Sequence, residues 1–103
     1  MSAHKGYILI ASDIYAEFER LKEELRPNRV VGFIEDEFKV EHSKAVIEES
    51  YKSESQTKYI ILGANNFNAI SQNALLKLLE EPLRNIEYII ISISIWCNQV
   101  ENF

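Results

Sequence analysis

The chain is poor in the residues from which most metal and nucleotide chemistry is built. It holds one cysteine (Cys97), three glycines and two prolines in 103 residues. A lone cysteine excludes an internal disulfide, a zinc cluster or a redox pair made by this chain alone. Scarce glycine and proline exclude collagen-like and linker-rich classes. Basic residues are short as well: 11 Lys and Arg stand against 16 Asp and Glu, a net charge of −5, with no basic cluster to offset it. Direct DNA binding needs surplus cations to displace counterions, and none is expected here. Long apolar runs are also missing. The longest, Tyr88 to Cys97, is interrupted by Ser92 and Ser94 and is about half of what a membrane span requires. The start, Met1-Ser2-Ala3-His4-Lys5, leads into too short an apolar stretch for a signal peptide. A cytoplasmic protein with no membrane contact is expected.

What is present describes an ordinary globular chain, 47% apolar and 26% charged, of a length that suits one domain. Four continuous apolar runs, Tyr7–Ile10, Val30–Ile34, Tyr59–Leu62 and Tyr88–Ile91, read as strands covered on both faces, because a half-exposed strand would alternate. Three helical patterns separate them. The first opens at Ser12 or Asp13, carries Ile14, Phe18, Leu21 and Leu25 on one face, and stops at Arg26-Pro27. The second spans about Glu41 to Ser53, with Val46, Ile47 and Tyr51 as its buried face. The third, capped by Asn66 or Asn68, places Ile70, Ala74, Leu75, Leu78 and Leu79 on an apolar stripe. Strict alternation with right-handed crossovers predicts an α/β three-layer sandwich around a mainly parallel four-stranded sheet.

In such a sheet ligands gather at the carboxyl ends of the strands. After the first strand the chain reads Ala11-Ser12-Asp13-Ile14, without the glycines and lysine of a phosphate loop or the glycines of a dinucleotide fingerprint. After the third it reads Leu62-Gly63-Ala64-Asn65, without the acids that a nucleotide hydrolase or a phosphoreceiver uses to hold Mg²⁺. Glu35-Asp36-Glu37 reads as a solvated turn after the second strand rather than a metal site. His4 and His42 have no partner at ligand spacing and read as surface residues, and Cys97 has no activating base. Neither a catalytic residue nor a cofactor or metal ligand is expected.

One segment is more particular than packing requires. Asn73-Ala74-Leu75-Leu76-Lys77-Leu78-Leu79-Glu80-Glu81-Pro82 ends a helix in two acids, where cations would complement the macrodipole, and a proline then stops it. Asn73 and Lys77, four apart, form either a solvent-facing pair or a subunit contact. With Lys58 to Asn68 before it and Asn85 and Tyr88–Ile91 after it, the segment closely resembles the AAA+ clamp-loader subunits of bacterial DNA polymerase III, the delta-prime subunit most closely. The likeness is good over residues 58 to 92 and extends by order of elements back to residue 7.

The resemblance carries expectations of its own. Aligned without gaps on Asn73 to Lys77, the family's magnesium-binding Asp-Glu pair falls on Leu62 and Gly63. With the phosphate loop also missing, the resemblance implies a non-hydrolysing, delta-prime-like subunit that serves DNA replication by scaffolding the motor and delta subunits. No enzymatic activity of its own is expected, at most that of an accessory subunit of a DNA polymerase holoenzyme. Asn73, Lys77, Glu80, Glu81 and Pro82 are its signature and candidate subunit contacts. The family's arginine motif is not found in Ser94 to Phe103, so residues 1–103 are expected to be a single partial AAA+-like domain, truncated or frameshifted, without fifth strand, lid or collar. The family's topology would order the strands first, fourth, third, second, and leave Tyr7 to Ala11 as an apolar edge open to self-association. The alternative is a truncated or repurposed α/β interaction module outside any clamp loader.

Overall fold

The computed structural model describes residues 6–52, 55–80 and 83–94. Strands β1 (Gly6–Ile10), β2 (Arg29–Phe38), β3 (Lys58–Phe67) and β4 (Ile86–Ser92) alternate with helices α1 (Ile14–Glu24), α2 (Val40–Ser50) and α3 (Ala69–Glu80). The strands form one parallel sheet in the order β1-β4-β3-β2, the order that the resemblance implied.

Period-two alternation distributes the central strands between two cores. Ile60, Leu62, Ala64, Tyr88 and Ile90 pack with Val46 of α2 and Leu75, Leu76 and Leu78 of α3 on one face. Ile61, Ile89 and Ile91 pack with Ile14 and Leu21 of α1 on the other. Both faces being covered, the strands had to be apolar throughout, and the run Ile60–Ala64 is broken only by Gly63. The predicted three-layer sandwich is the observed architecture.

Local chemistry sets the helix starts. Asp13, not Ser12, caps α1: its Oδ1 accepts the Ala16 amide at 3.1 Å. Asn68, not Asn66, caps α3, with Oδ1 accepting from the Ser71 amide at 2.8 Å. α1 ends at Glu24, just short of the predicted stop at Arg26-Pro27. Asn85 takes φ 65°, a left-handed turn that asparagine tolerates, and its carbonyl accepts from the Lys58 amide at 2.8 Å, joining the starts of β3 and β4.

Four expectations are corrected. Glu35-Asp36-Glu37 is not a turn but the end of β2, extended beside Ala64–Asn66 of β3. Fully buried Phe38, stacked on Phe67 at 5.2 Å, draws both strands to that length, and Asn65 Nδ2 donates to Asp36 Oδ1 at 2.9 Å. Helix α2 begins at Val40 and ends at Ser50, earlier than the expected Ser53, which itself lies outside the described residues. Tyr51 is 65% exposed because it caps α2 instead of continuing its buried face. Ile70 is also 65% exposed, and Leu76 is buried in its stead: the inward face of α3 runs through Ser71, Leu75, Leu76 and Leu78 and, with a turn of about 100° per residue, leaves Ile70 outside it.

Candidate functional site

Helix α3 carries the signature segment. Its buried side, Ser71, Leu75, Leu76 and Leu78, is fixed against the sheet and α2, and Gln72 Nε2 donates to the Phe67 carbonyl at 3.0 Å, tying the first turn to the end of β3. The opposite side is therefore presented outward. Asn73, Lys77 and Glu80 are all exposed, and their spacing of four and three puts them in one row with exposed Ile70. Lys77 falls in the last helical turn, so that turn does have the macrodipole-complementing cation that the sequence reading found missing. Glu81 and Pro82 lie outside the described residues. The row offers an amide, an ammonium and a carboxylate on a rigid helix, groups suited to recognition across an interface.

The carboxyl ends of the strands are built differently. Leu62 is 1% exposed and belongs to the core under α2 and α3. Gly63 faces the other way: a Cβ placed there would lie 2.6 Å from Ile14 Cγ2 and 3.1 Å from Ile34 Cδ1. An acid at this position would collide with two apolar side chains. At the end of β4, Ser92 is buried and its hydroxyl donates to the Ser94 carbonyl at 2.7 Å, while the Ala11 amide after β1 donates to the Ser92 carbonyl at 2.9 Å. The groups that could have met a phosphate are engaged within the chain.

The acids gather instead beside β2. Glu35, Asp36, Glu37, Lys39, Glu41 and His42 line an open cleft of about 350 Å³. His42 is half-buried, not the free surface residue its polar setting suggested. Its Nδ1 accepts the Lys39 amide at 3.0 Å, closing the start of α2; its Nε2 lies 3.7 Å from Glu35 Oε1, and its ring meets Phe38 edge-on at 5.4 Å. Among the described residues no group of three His, Cys, Asp or Glu side chains is placed to hold a metal ion. The cleft's negative charge repels phosphate.

The strongest electrostatic feature lies at the opposite end of the sheet, and sequence reasoning missed it. Lys58, the first residue of β3, is 0% exposed, and its Nζ donates to Glu49 Oε2 at 3.0 Å and to the Glu49 carbonyl at 3.1 Å. The hydrogen bond from Lys58 holds the Glu49 carboxyl below the usual carboxylate range; partial burial opposes this, and Lys52 at 3.3 Å reinforces it. Burial pushes the Tyr88 hydroxyl in the opposite sense, above the usual tyrosine range. Both groups are structural. His4 and Cys97 lie outside the described residues, and among the described residues no helix is long and apolar enough to cross a membrane.

A family model described as DNA polymerase III, delta subunit matches residues 9–96. No curated protein and no solved structure matches the chain.

Proposed function

The chain belongs to the DNA polymerase III delta-subunit family, a clamp-loader family, and from that premise we propose that it acts as a delta-prime-like subunit: a cytoplasmic domain that associates with the motor and delta subunits during DNA replication and hydrolyses no ATP. The observation that carries the reading is the packing in the middle of β3, level with the end of β4. Leu62 and Gly63, the positions that align with the family's magnesium-binding acids, are filled from both sides by apolar neighbours, Ile14 and Ile34 among them. Without a carboxylate there, nothing would fix the metal that neutralises phosphoryl charge in a motor subunit.

What is left for such a domain is binding. The outward row of Asn73, Lys77 and Glu80 is the surface proposed to meet another subunit, with Glu81 and Pro82 completing the sequence signature. A net charge of −5 opposes a direct role on DNA.

Two measurements test the reading. Titration calorimetry with ATP and Mg²⁺ should give no binding heat at concentrations that saturate a motor subunit, and tight Mg²⁺-dependent binding would overturn the non-hydrolysing assignment. A pull-down of the purified motor and delta subunits with the tagged chain should recover both. Asn73→Ala with Lys77→Glu should weaken recovery at least about tenfold, as expected where exposed polar contacts centre an interface. No recovery of either subunit by the parent chain would remove the clamp-loader role.

A further inference from the structure

Among the helices α1, α2 and α3, the second opens on the least suitable residue. Asp13 and Asn68 cap α1 and α3 with side-chain oxygens, but Lys39, at the start of α2, ends in an ammonium that accepts nothing. This helix is closed from the other side. His42 reaches back from the first turn, and its Nδ1 accepts the Lys39 amide at 3.0 Å. That is the return half of a capping box, in which glutamate or glutamine is the usual acceptor. A histidine in that role brings a property that neither of those has near neutral pH: its acceptor disappears when it takes up a proton.

Neutral imidazole accepts at one nitrogen and donates at the other, whereas imidazolium donates at both. The Lys39 bond therefore requires the form with its proton on Nε2, the nitrogen that lies 3.7 Å from Glu35 Oε1, too far for a hydrogen bond. A second proton, on Nδ1, would set two N–H groups against each other across 3.0 Å. The groups around the ring act on that charge in opposite senses. Glu35, Asp36 and Glu37 of β2 and Glu41 of α2 line the same cleft and attract a cation; Lys39 and the positive end of the α2 macrodipole repel it. The remaining neighbours are neutral. Phe38 meets the ring edge-on, the inward side of α3 is Ser71, Leu75, Leu76 and Leu78, and the β3 residues beside Glu37 and Phe38 are Asn66 and Phe67. The His42 side chain is 26% exposed, enough for water to deliver the proton.

We propose that His42 is a proton-operated latch on the start of α2: as the neutral ring it holds the Lys39 amide and keeps the helix closed, and as imidazolium it lets that amide go and turns its charge to Glu35. A charge-assisted bond to Glu35 needs Nε2 to come about 0.9 Å closer to Oε1, a movement that the Lys39 bond holds back by fixing the ring's other nitrogen. The latch works in the range where imidazole changes charge, about pH 8 to 5. Its output is local: the first turn of α2 loosens, and the acidic cleft beside β2 becomes less negative. Neither effect depends on the clamp-loader reading.

The test uses the full, isotope-labelled chain. Imidazole and amide nitrogen spectra recorded from about pH 8 to 5 should show His42, at the alkaline end, with Nδ1 bare and the proton on Nε2. As the ring is protonated, the Lys39 amide proton should move upfield with the same midpoint. Its exchange, corrected for the intrinsic pH dependence, should quicken about fivefold, as expected when one cap bond is lost. His42→Gln keeps an acceptor for the Lys39 amide and carries no titrating group, so that amide should hold its shift and corrected exchange over the whole range. The ring signal that this variant removes also separates His42 from His4, the other histidine. A Lys39 amide that ignores the protonation of His42 overturns the proposal, as does a ring that keeps one charge state throughout or carries its single proton on Nδ1. A Lys39 response that persists in His42→Gln overturns it too, by assigning the effect to the neighbouring carboxylates. Should the variant not fold, the measurements on the parent chain decide the question.

Discussion

The start and the middle of β3 handle charge in opposite ways. At its start, Lys58 is wholly buried yet paired with the carboxylate and carbonyl of Glu49 at the end of α2. Midway along it, where the resemblance would put two acids, Leu62 and Gly63 are packed by apolar neighbours, with Gly63 beside Ile91 near the end of β4. A buried ion is tolerable only where geometry and hydrogen bonds compensate its desolvation. This strand provides that compensation at its start, far from ligands, and none level with the carboxyl end of β4, where ligands of α/β sheets bind. The buried charge serves to lock α2 to the sheet rather than to perform chemistry.

The comparison breaks most visibly if acids can be placed in the middle of β3. Leu62→Asp puts a carboxylate among Ile60, Ile90 and Leu75, all within one apolar core. With no partner it should cost about 4 kcal/mol or more, a large part of a small domain's stability. Circular dichroism against urea should show a chain mostly unfolded or with a sharply lowered midpoint. A Leu62→Asp, Gly63→Glu variant that keeps the parent midpoint and binds Mg²⁺ would mean that the site was lost by substitution alone, with the surrounding packing still able to accept it.

Removing the compensation at the start of β3 is the next largest effect. Glu49→Gln takes the Glu49 carboxylate away from the buried Lys58 ammonium, which stays bonded to the residue 49 carbonyl. The expected loss is about 3 kcal/mol, the low end for a broken buried pair because the Glu49 side chain is itself 14% exposed. The pH dependence has a fixed sign. The Glu49 carboxyl titrates lower in the folded chain than in the unfolded one, so its contribution is full above the unfolded value of about 4.3 and is lost as pH falls through the lower folded value. Melting temperatures from pH 7 downward should therefore fall more steeply below about pH 4.3 in the parent than in Glu49→Gln. Parallel curves would assign the acid sensitivity to other carboxylates.

The difference between the two places was only half legible in the sequence. The apolar middle of the strand could be read directly, because Leu62-Gly63-Ala64 stands where the resemblance would put acids. The buried pair could not: Lys58 precedes an apolar run like any strand-flanking lysine, and its partner sits on a helix nine residues earlier. The same limit explains the strand lengths. Glu35-Asp36-Glu37 and Asn65-Asn66 have poor strand propensity, and only their mutual pairing, closed by buried Phe38 against Phe67, keeps them extended. Element order followed from patterns within single segments, and the sheet order from the resemblance to the clamp-loader family. Which side of α3 turns inward at Ile70 and Leu76 depended on the tilt of the helix on its sheet, which periodicity alone does not fix.

The smallest test asks whether burial without a partner marks a site or merely a tolerated imperfection. Ser71 is wholly buried in the first turn of α3, close in sequence to the row proposed to meet a subunit, and its hydroxyl has no hydrogen-bond partner. Lys58, equally buried, has compensation; this hydroxyl has none. Ser71→Ala removes an unsatisfied polar atom and adds a better helix former. Stability should therefore stay level or rise by up to about 0.5 kcal/mol, read from the urea midpoint at constant slope. A loss above about 1 kcal/mol would show that the hydroxyl is satisfied in solution, by bound water or a rotated neighbour. The Ser71 hydroxyl would then be compensated like the Lys58 ammonium, though by water or a neighbour in place of the Glu49 carboxylate and carbonyl.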